Sequence, residues 1–191
     1  MHLQVVCMLQ ERLLINSMEI LSENISDALI DEAYEIHKVK LGESYLSKEY
    51  FYKCRDKNEI LVGIDNNEVL GYFIFEITTE KEFLSSKGIK NKGEDIPALC
   101  LLTVASKYAF KGTGYFLGKY CIEKYGSKVS SIYSPVWKSK EGTNAHKLLT
   151  RCGLVPSIEL PNYWYKDSLG KENYCPVCGS PCECTLVIYK K

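Results

Sequence analysis

The chain has 191 residues, enough for one hydrophobic core and a small appendage. Lys plus Arg and Asp plus Glu both total 24, so the net charge is zero. This balance excludes binding to nucleic acid through a globally basic surface. Apolar runs fall short of the ~18 residues of a membrane helix, and the N-terminus lacks the pattern of a secretory signal. We therefore expect a cytoplasmic protein.

The N-terminal region predicts a strand followed by a helix. Strand-like patches occupy residues 3–9 and 13–20. Ser22 or Ser26 can cap a helix in which apolar residues recur every three or four positions as far as His37.

A second helix and a hairpin follow. Ser47 opens a shorter helix that runs through Cys54. Residues 59–65 and 68–77 predict two strands, and Asn66-Asn67 between them suits a two-residue turn because Asn tolerates positive φ.

The middle of the chain predicts a buried strand and a strand–turn–helix segment. Residues 69–75 are apolar without alternation, which is typical of a central strand covered on both faces. Residues 78–97 are polar and predict a long loop. An apolar strand at 98–104 then leads through a turn into a helix at 112–125, which has a buried apolar face.

The C-terminal third predicts alternating strands and helices. In order, they are a strand at 128–133 that Pro135 breaks, a helix at 139–152, a strand at 154–159 that bends and resumes around 163–165, and a last strand at 185–190. Alternation of strand and helix over 98–159 implies parallel pairing, and hairpins at either end imply antiparallel edges. The predicted fold class is α/β with a mixed sheet.

The turn after strand 98–104 carries Lys111-Gly112-Thr113-Gly114. Glycines let the backbone approach a phosphate closely, and the first amides of a helix point unpaired N–H groups at an anion. A plain strand-to-helix turn is the alternative, because short glycine patterns often occur without a ligand.

Two segments resemble motifs of the GNAT superfamily of acyl-CoA-dependent N-acyltransferases. Leu101-Leu102-Thr103-Val104, followed by Tyr108 and Lys111-Gly112-Thr113-Gly114, is similar to motif A. The segment 144–154, Asn-Ala-His-Lys-Leu-Leu-Thr-Arg-Cys-Gly-Leu, is similar to motif B. The order of predicted elements agrees as well, and the resemblance covers roughly residues 13 to 165.

The resemblance implies a central mixed sheet flanked by helices, and it implies a cofactor site. Main-chain groups of strand 98–104 would pair with the pantetheine arm of acetyl-CoA, and amides of the turn would hold the pyrophosphate. The acceptor amine would enter where strands 98–104 and 128–134 splay apart. The implied cofactor-binding residues are Leu102, Thr103, Val104, Lys111, Gly112, Thr113, Gly114, Tyr115 and Asn144.

The chain departs from the family at several positions. Ala109 stands where Arg or Gln is usual, and Phe110 stands where Gly is usual. Leu149 occupies the position of a Tyr that often protonates the departing thiolate. Strand 98–104 has no carboxylate to act as a base.

Glu76, at the end of the apolar strand, is the candidate general base. A solvated strand-end carboxylate is the alternative role for this residue. Tyr133 and Ser134 could contact cofactor or substrate, with ordinary packing again the alternative.

Four of the nine cysteines lie in one short segment. Cys175, Cys178, Cys182 and Cys184 offer four sulfur ligands, a set that favours zinc. Reduced thiols, a disulfide pair or an iron–sulfur site are the alternatives. Four thiolates leave no open coordination position, so we expect a structural zinc knuckle over 175–184 that pins the last hairpin. A surface for docking protein or nucleic acid is the other interpretation.

The sequence therefore predicts one acyltransferase-like domain over 1–191 that transfers acetyl from acetyl-CoA to a primary amine by direct attack in a ternary complex. The expected partners are acetyl-CoA and an amine on a small molecule, peptide or protein. Neither membrane nor nucleic acid is expected, and a homodimer is left open. The alternatives are a catalytically weak or inactive CoA-binding module and a zinc-dependent nucleic-acid-binding protein.

Overall fold

The structure, a computed structural model, describes residues 18–43, 45–90, 92–108, 112–140, 142–143, 145–169, 175 and 177–191. In chain order, its helices and strands are β1 (Glu19–Leu21), α1 (Asp27–Leu41), α2 (Lys48–Asp56), β2 (Ile60–Asp65), β3 (Glu68–Thr79), α3 (Glu80–Ser86), β4 (Pro97–Ser106), α4 (Thr113–Tyr125), β5 (Ser131–Lys138), α5 (His146–Arg151), β6 (Val155–Leu160) and β7 (Thr185–Lys190). Within these described ranges, no helix is both long and apolar enough to cross a membrane. The strand predicted at 3–9 lies outside them.

The described strands form a seven-stranded mixed sheet in the order β1-β2-β3-β4-β5-β7-β6. The pairs β1–β2 and β2–β3 are antiparallel, β4–β5 is parallel, and β5–β7 and β7–β6 are antiparallel. The predicted mixed sheet, with parallel strands in the middle and antiparallel edges, is confirmed.

The chain divides into two compact units. The first comprises residues 1–75 and 103–121, and the second comprises residues 76–102 and 122–191. That the chain forms a single domain remains a prediction.

In the first unit, local side-chain bonds begin the helices where the sequence predicts them. Ser26 Oγ accepts from the N–H of Leu29 at 3.4 Å, and Ser47 Oγ accepts from Tyr50 at 3.3 Å. The β2–β3 turn has Asn66 at φ 49° and Asn67 at φ 64°, so the predicted hairpin turn is also confirmed.

A cluster of rings fills the core of this unit around His37. The imidazole is fully buried, and its Nδ1 lies 2.6 Å from the hydroxyl oxygen of Tyr72. Tyr34 and Phe51 pack their rings on it at centroid distances of 5.9 and 5.2 Å. Within the described residues, Nε2 of His37 has no hydrogen-bond partner. Burial therefore lowers the pKa of His37, because a charged imidazole would lose its hydration.

Gly71 on β3 sets the distance between its strand and the end of β4. A Cβ at this position would lie 2.6 Å from the carbonyl oxygen of Ala105 and 3.1 Å from Cα of Ser106 and Cγ2 of Thr113. The first contact is with backbone, which a rotamer change cannot relieve. Only glycine therefore fits here without moving the segment that leads into α4.

In the second unit, residues 78–97 are not the long loop that the sequence predicts, because α3 forms within them. Thr79 and Glu82 make a reciprocal capping box: Thr79 Oγ1 accepts from the Glu82 N–H, and Glu82 Oε2 accepts from the Thr79 N–H, both at 3.2 Å. Phe83 and Leu84 give the helix a buried side. The polar composition of the segment led to the prediction of a loop. The Thr-x-x-Glu spacing is nevertheless a recognisable signal for the start of a helix.

Three further predictions for this unit need correction. Pro135 does not break its strand, since β5 continues to Lys138 and Pro135 pairs only with Ile188 of β7. A position with one neighbouring strand tolerates a residue without an N–H. The predicted helix at 139–152 shortens to α5, and residues 163–165 form turns rather than a resumed strand.

The core of the second unit lies between α3 and the strands β4, β5 and β7. Its buried members are Phe83, Leu84, Ile89, Ala98, Cys100, Tyr133, Leu186 and Ile188. Leu102, Ile158, Leu160, Tyr163 and Trp164 pack against them. The segment between β6 and β7 is thus tied to the same core as the start of β5.

We expect the free energy of unfolding to fall as pH drops below about 6.5, the usual pKa of an unfolded His. The pKa of His37 is lower in the folded state, so the unfolded state binds more protons in this range. Its contribution to stability is complete above that pH and is lost progressively towards the folded pKa. Urea unfolding of His37→Phe at pH 7.5 and 5.5 should show a smaller decrease than wild type. Equal decreases in wild type and His37→Phe would contradict this account.

Gly71→Ala should lower the free energy of unfolding by about 1–3 kcal/mol, the usual cost of overpacking. Gly126→Ala is the matched control, because its Cβ would meet only side-chain atoms, Cδ1 of Ile132 at 3.3 Å and Cγ2 of Ile122 at 3.5 Å. We expect the control to lose less than about 1 kcal/mol. Denaturation midpoints measure both, and equal midpoints would show that the methyl group fits at residue 71.

Candidate functional site

The glycine turn at the start of α4 is partly described. Gly112 has φ +82°, a conformation that favours glycine, and its carbonyl oxygen accepts from Phe116 N–H at 3.0 Å in the first turn of the helix. Thr113 is buried, whereas Gly114 and Tyr115 are half-buried. The candidate residues Lys111 and Asn144, together with Ala109 and Phe110, lie outside the described residues.

A second lysine near this turn already has a partner. Lys107 Nζ forms an ion pair with Glu68, and the backbone N–H of Lys107 donates to the Leu70 carbonyl oxygen at 2.8 Å. The pKa of Glu68 is lowered mainly by the hydrogen bond from Lys107. These contacts fix the end of β4 against the start of β3.

Strands β4 and β5 pair over only three residues. Their pairs end at Cys100–Tyr133, although every residue of β4 to Ser106 and of β5 to Lys138 is described. Just beyond the last pair, Ser134 Oγ donates to the Leu101 carbonyl oxygen at 2.9 Å. A side chain thus takes over an acceptor that a longer ladder would satisfy.

The candidate residues on β4 differ in exposure. Leu102 and Val104 are half-buried, and Thr103 is buried. Leu149, at the position where the family often has Tyr, is 2% exposed and belongs to the core. It offers no proton to a leaving group.

The candidate base Glu76 lies on β3 and is half-buried. The pKa of the Cys100 thiol is raised, mainly by burial and then by the charge of Glu76. Whether Glu76 acts as a base stays a prediction.

A buried charged cluster that sequence reasoning missed lies beside the last β4–β5 pair. Tyr133 donates its hydroxyl hydrogen to Glu80 Oε1, and Lys190 Nζ donates to the same oxygen at 2.9 Å. Glu94 N–H donates to Glu80 Oε2 at 3.1 Å. The Lys190 ammonium also lies over the Tyr133 ring, 5.2 Å from its centroid. Glu80 is only 7% exposed, so these contacts replace its hydration.

The pKa of each group in this cluster shifts in the direction that its hydrogen-bond partners favour. The pKa of Glu80 is lowered by the bond from Tyr133 and then by Lys190 and Glu94 N–H, although burial opposes the shift. Burial and the bond to Glu80 raise the pKa of Tyr133. Hydrogen bonds to Tyr133 and Glu80 raise the pKa of Lys190. At neutral pH the cluster holds a carboxylate, an ammonium ion and a neutral phenol.

The charged cluster opens into a cavity of about 460 Å³ within the second unit. This volume is in the range of small-molecule sites. The lining residues are Glu80, Leu84, Lys92, Gly93, Glu94, Tyr133, Ser157, Ile158 and Lys190. A second cavity of about 370 Å³ in the same unit is lined by Lys138, Thr143, His146, Pro156, Glu159, Val187 and Tyr189.

The four clustered cysteines are brought together as predicted. Cys178 Sγ lies 3.3, 3.6 and 3.5 Å from the sulfurs of Cys175, Cys182 and Cys184, and Cys175 lies 3.9 Å from Cys184. All four sulfurs fall within 4.8 Å of one another. A tetrahedral ion with metal–sulfur bonds of about 2.3 Å holds its sulfurs about 3.8 Å apart. The sulfurs therefore match the ligand set of one metal ion, and their separations exceed the ~2.05 Å of a disulfide.

Neighbouring polar groups surround the sulfurs. Glu183 N–H points at Cys178 Sγ at 3.4 Å, and Trp137 of β5 hydrogen-bonds the Cys184 sulfur. The pKa of Cys175 is lowered to about 7, because N–H groups of Cys178 and Val177 and nearby thiols outweigh burial. Outer-shell donors of this kind orient thiolates for a metal.

Sequence comparison finds no matching family profile and no matching curated protein. Comparison of structures does find similar proteins. Arabidopsis thaliana NAA60 in complex with acetyl-CoA has a TM-score of 0.66 at 13% identity, covering 91% of this chain and 97% of that chain. Arabidopsis thaliana Naa50 in complex with the bisubstrate analogue CoA-Ac-MVNAL has a TM-score of 0.60 at 15% identity, covering 92% and 98%.

A mosquito arylalkylamine N-acetyltransferase like 5b has a TM-score of 0.62 at 12% identity, covering 92% of this chain and 99% of that chain. The matches span nearly the whole of each protein. Identity at this level shows the fold alone. The chain therefore has the fold of the GNAT N-acetyltransferases, in agreement with the resemblance of its two motifs.

Proposed function

We propose that the protein is an acetyl-CoA-dependent N-acetyltransferase that transfers acetyl to a primary amine. The observation that carries this proposal is the early end of the β4–β5 ladder at Cys100–Tyr133, in a chain whose structural neighbours include one solved with acetyl-CoA. Main-chain groups of Leu102, Thr103 and Val104, beyond the last pair, are available in our proposal to the pantetheine arm. The pyrophosphate would lie at the amides from Lys111 to Tyr115, with Lys111 adding positive charge and Asn144 near the thiol end.

The proposed reaction needs little from side chains. The ammonium ion of the acceptor loses a proton, and its nitrogen forms a bond to the acetyl carbonyl carbon. The carbon–sulfur bond then breaks, the nitrogen loses a second proton to give the amide, and the thiolate takes up a proton to give free CoA. Proximity and backbone N–H donors to the developing oxyanion carry much of the rate in such reactions. Glu76 is the proposed base, and water protonates the thiolate because Leu149 cannot.

A non-catalytic CoA-binding module is the second candidate. The observation that favours it is the burial of Leu149 in the core, since this residue replaces a proton donor. The two candidates share the acetyl-CoA site and differ only in turnover.

We also propose that Cys175, Cys178, Cys182 and Cys184 hold one structural zinc ion. Support comes from the distances among the four sulfurs, which fit one tetrahedral ion. Zinc would cross-link the segment between β6 and β7, which is too short to bury a core of its own. Backbone hydrogen bonds also hold two of the cysteines in place. Cys182 N–H donates to Ser168 Oγ at 2.6 Å, and Tyr163 N–H donates to the Cys184 carbonyl oxygen at 3.2 Å.

Gly112→Ala should weaken acetyl-CoA binding at least tenfold in calorimetry, because a side chain disfavours φ +82° and shifts the turn amides. Gly88→Ala is the matched control, with φ +76° and nothing within 4 Å of the added Cβ. Its affinity should stay within about twofold of wild type, since it carries the same backbone strain away from the turn. Release of free thiol with a panel of amines then separates the two candidates. No binding at about 1 mM acetyl-CoA would remove both of them.

Purified protein should contain one zinc ion per chain by elemental analysis. A chelator or Cys182→Ser should lower the melting temperature by roughly 5 °C or more, since about 1 kcal/mol corresponds to about 2–4 °C at this size. Cys100→Ser, a buried thiol outside the cluster, should keep the zinc. Protein without zinc above background, and with unchanged melting in chelator, would rule out the site.

A further inference from the structure

The 460 Å³ cavity is held in shape by hydrogen bonds around Glu80. Glu80 N–H donates to the Ile96 carbonyl oxygen at 3.0 Å, and Lys81 N–H donates to the Glu94 carbonyl oxygen at 3.1 Å. Gly93 has φ +84°, and a Cβ there would lie 2.9 Å from Glu80 Cγ and 3.0 Å from Lys81 N. The loop over 92–96 is therefore fastened to the start of α3, and this wall of the cavity is preformed.

Lys190 is the half-buried hydrogen-bond donor of the cavity, whose lining also includes the exposed Lys92. Glu80 and Tyr133 take two of the three donors on its ammonium group. Its side chain is 43% exposed, whereas that of Glu80 is 9% exposed. The remaining donor is thus available to an oxygen atom of a ligand, while the buried side of the ammonium ion keeps its counter-charge.

The same cavity also presents a hydrogen-bond acceptor and an apolar surface. Glu94, an exposed residue, lines it, while the carboxylate of Glu80 is already occupied by three donors. Leu84 and Ile158 supply the apolar part of the wall. Ser157 lies at an irregularity of β6, between Pro156 and Ile158, where the pairing register shifts. A ligand that fits Glu94, Lys190 and the apolar wall carries a positive charge, a nearby oxygen acceptor and a small apolar side chain.

We propose that this cavity receives the aminoacyl end of the acceptor, in which an amino group and a carbonyl oxygen are separated by two carbon atoms. Lys190 is the specificity-determining residue, because it donates to that carbonyl oxygen, and Glu94 binds the ammonium ion. Tyr133 belongs both to the cavity wall and to the last β4–β5 pair, so the bound amine lies beside the point where the strands part. This assignment rests on the proposed acetyl transfer and names its class of acceptor.

The charged cluster could instead serve only to join α3 to β5 and β7. That role predicts a loss of stability when Lys190 is changed, with no selectivity between acceptors. The assignment predicts a change of selectivity, so a comparison of two acceptors in one variant separates the roles. Intrinsic differences in amine reactivity cancel when the ratio of kcat/KM values is compared between variant and wild type.

Lys190→Met tests the assignment with alaninamide and isopropylamine, which differ in the carboxamide group that carries the carbonyl oxygen. We expect kcat/KM for alaninamide to fall at least tenfold, because a hydrogen bond from a charged donor is lost. The value for isopropylamine should stay within about threefold, the usual spread of single-contact effects. Lys138→Met is the matched control: its side chain is 44% exposed and pairs with Glu159 at 3.0 Å beside the other cavity. A pentapeptide that begins with Ala shows whether a peptide N-terminus or a free amino-acid amide is the better source of this group.

Equal losses for both acceptors, or no loss for either, would overturn the assignment. If Lys190→Met does not fold, Glu80→Gln/Lys190→Met removes both charges together and should show the same loss of selectivity. If wild type binds acetyl-CoA but acetylates no amine, the proposed function fails on its own. Calorimetry with the pentapeptide then tests whether the cavity binds the aminoacyl end. Binding that weakens at least tenfold in Lys190→Met, but not in Lys138→Met, supports the assignment, and any other result rejects it.

Discussion

The backbone N–H and C=O groups of every buried strand need hydrogen-bond partners. This requirement matters most where β4 and β5 separate. The two strands share three residue pairs and then pair no further, although both continue. On its other edge, β5 pairs with β7 from Tyr133 to Lys138, which keeps β5 in the sheet beyond its last pair with β4. On β4, Ser134 Oγ satisfies the Leu101 carbonyl oxygen. The proposed pantetheine arm would bind the backbone of β4 beyond its last pair with β5. The proposed function therefore rests on the early end of the β4–β5 pairing.

Much of the fold could be predicted because its signals are local. The Ser26 and Ser47 caps and the Asn66-Asn67 turn each depend on contacts within three or four residues, and all appear where expected. The four cysteines were also predictable, since their spacing is short. The α3 helix was missed because only a capping box and two apolar residues mark it in a polar segment.

The charged cluster could not have been predicted from the sequence. Tyr133 lies 53 positions from Glu80 along the chain, and Lys190 lies 110 positions from it. The sequence singles out Tyr133 as a possible contact for cofactor or substrate, but nothing in the local pattern of Glu80 or Lys190 distinguishes either from a surface residue. Their meeting depends on α3 covering the start of β5 and on the register of β7 against β5, with Tyr133 opposite Lys190. Sequence reasoning placed Glu80 in a loop and therefore had no carboxylate to offer beside Tyr133.

The cysteine cluster has a consequence for how the protein can be observed. Trp137 hydrogen-bonds Cys184, Trp164 packs against the cluster, and the chain has only these two tryptophans. Intrinsic tryptophan fluorescence is therefore a local signal from the segment around the sulfurs and does not sample the ring cluster at His37. Circular dichroism, by contrast, averages over all helices and strands. A mismatch between unfolding curves followed by the two methods would reveal that the C-terminal segment opens before the remainder, and agreement would show that both are lost in one cooperative step.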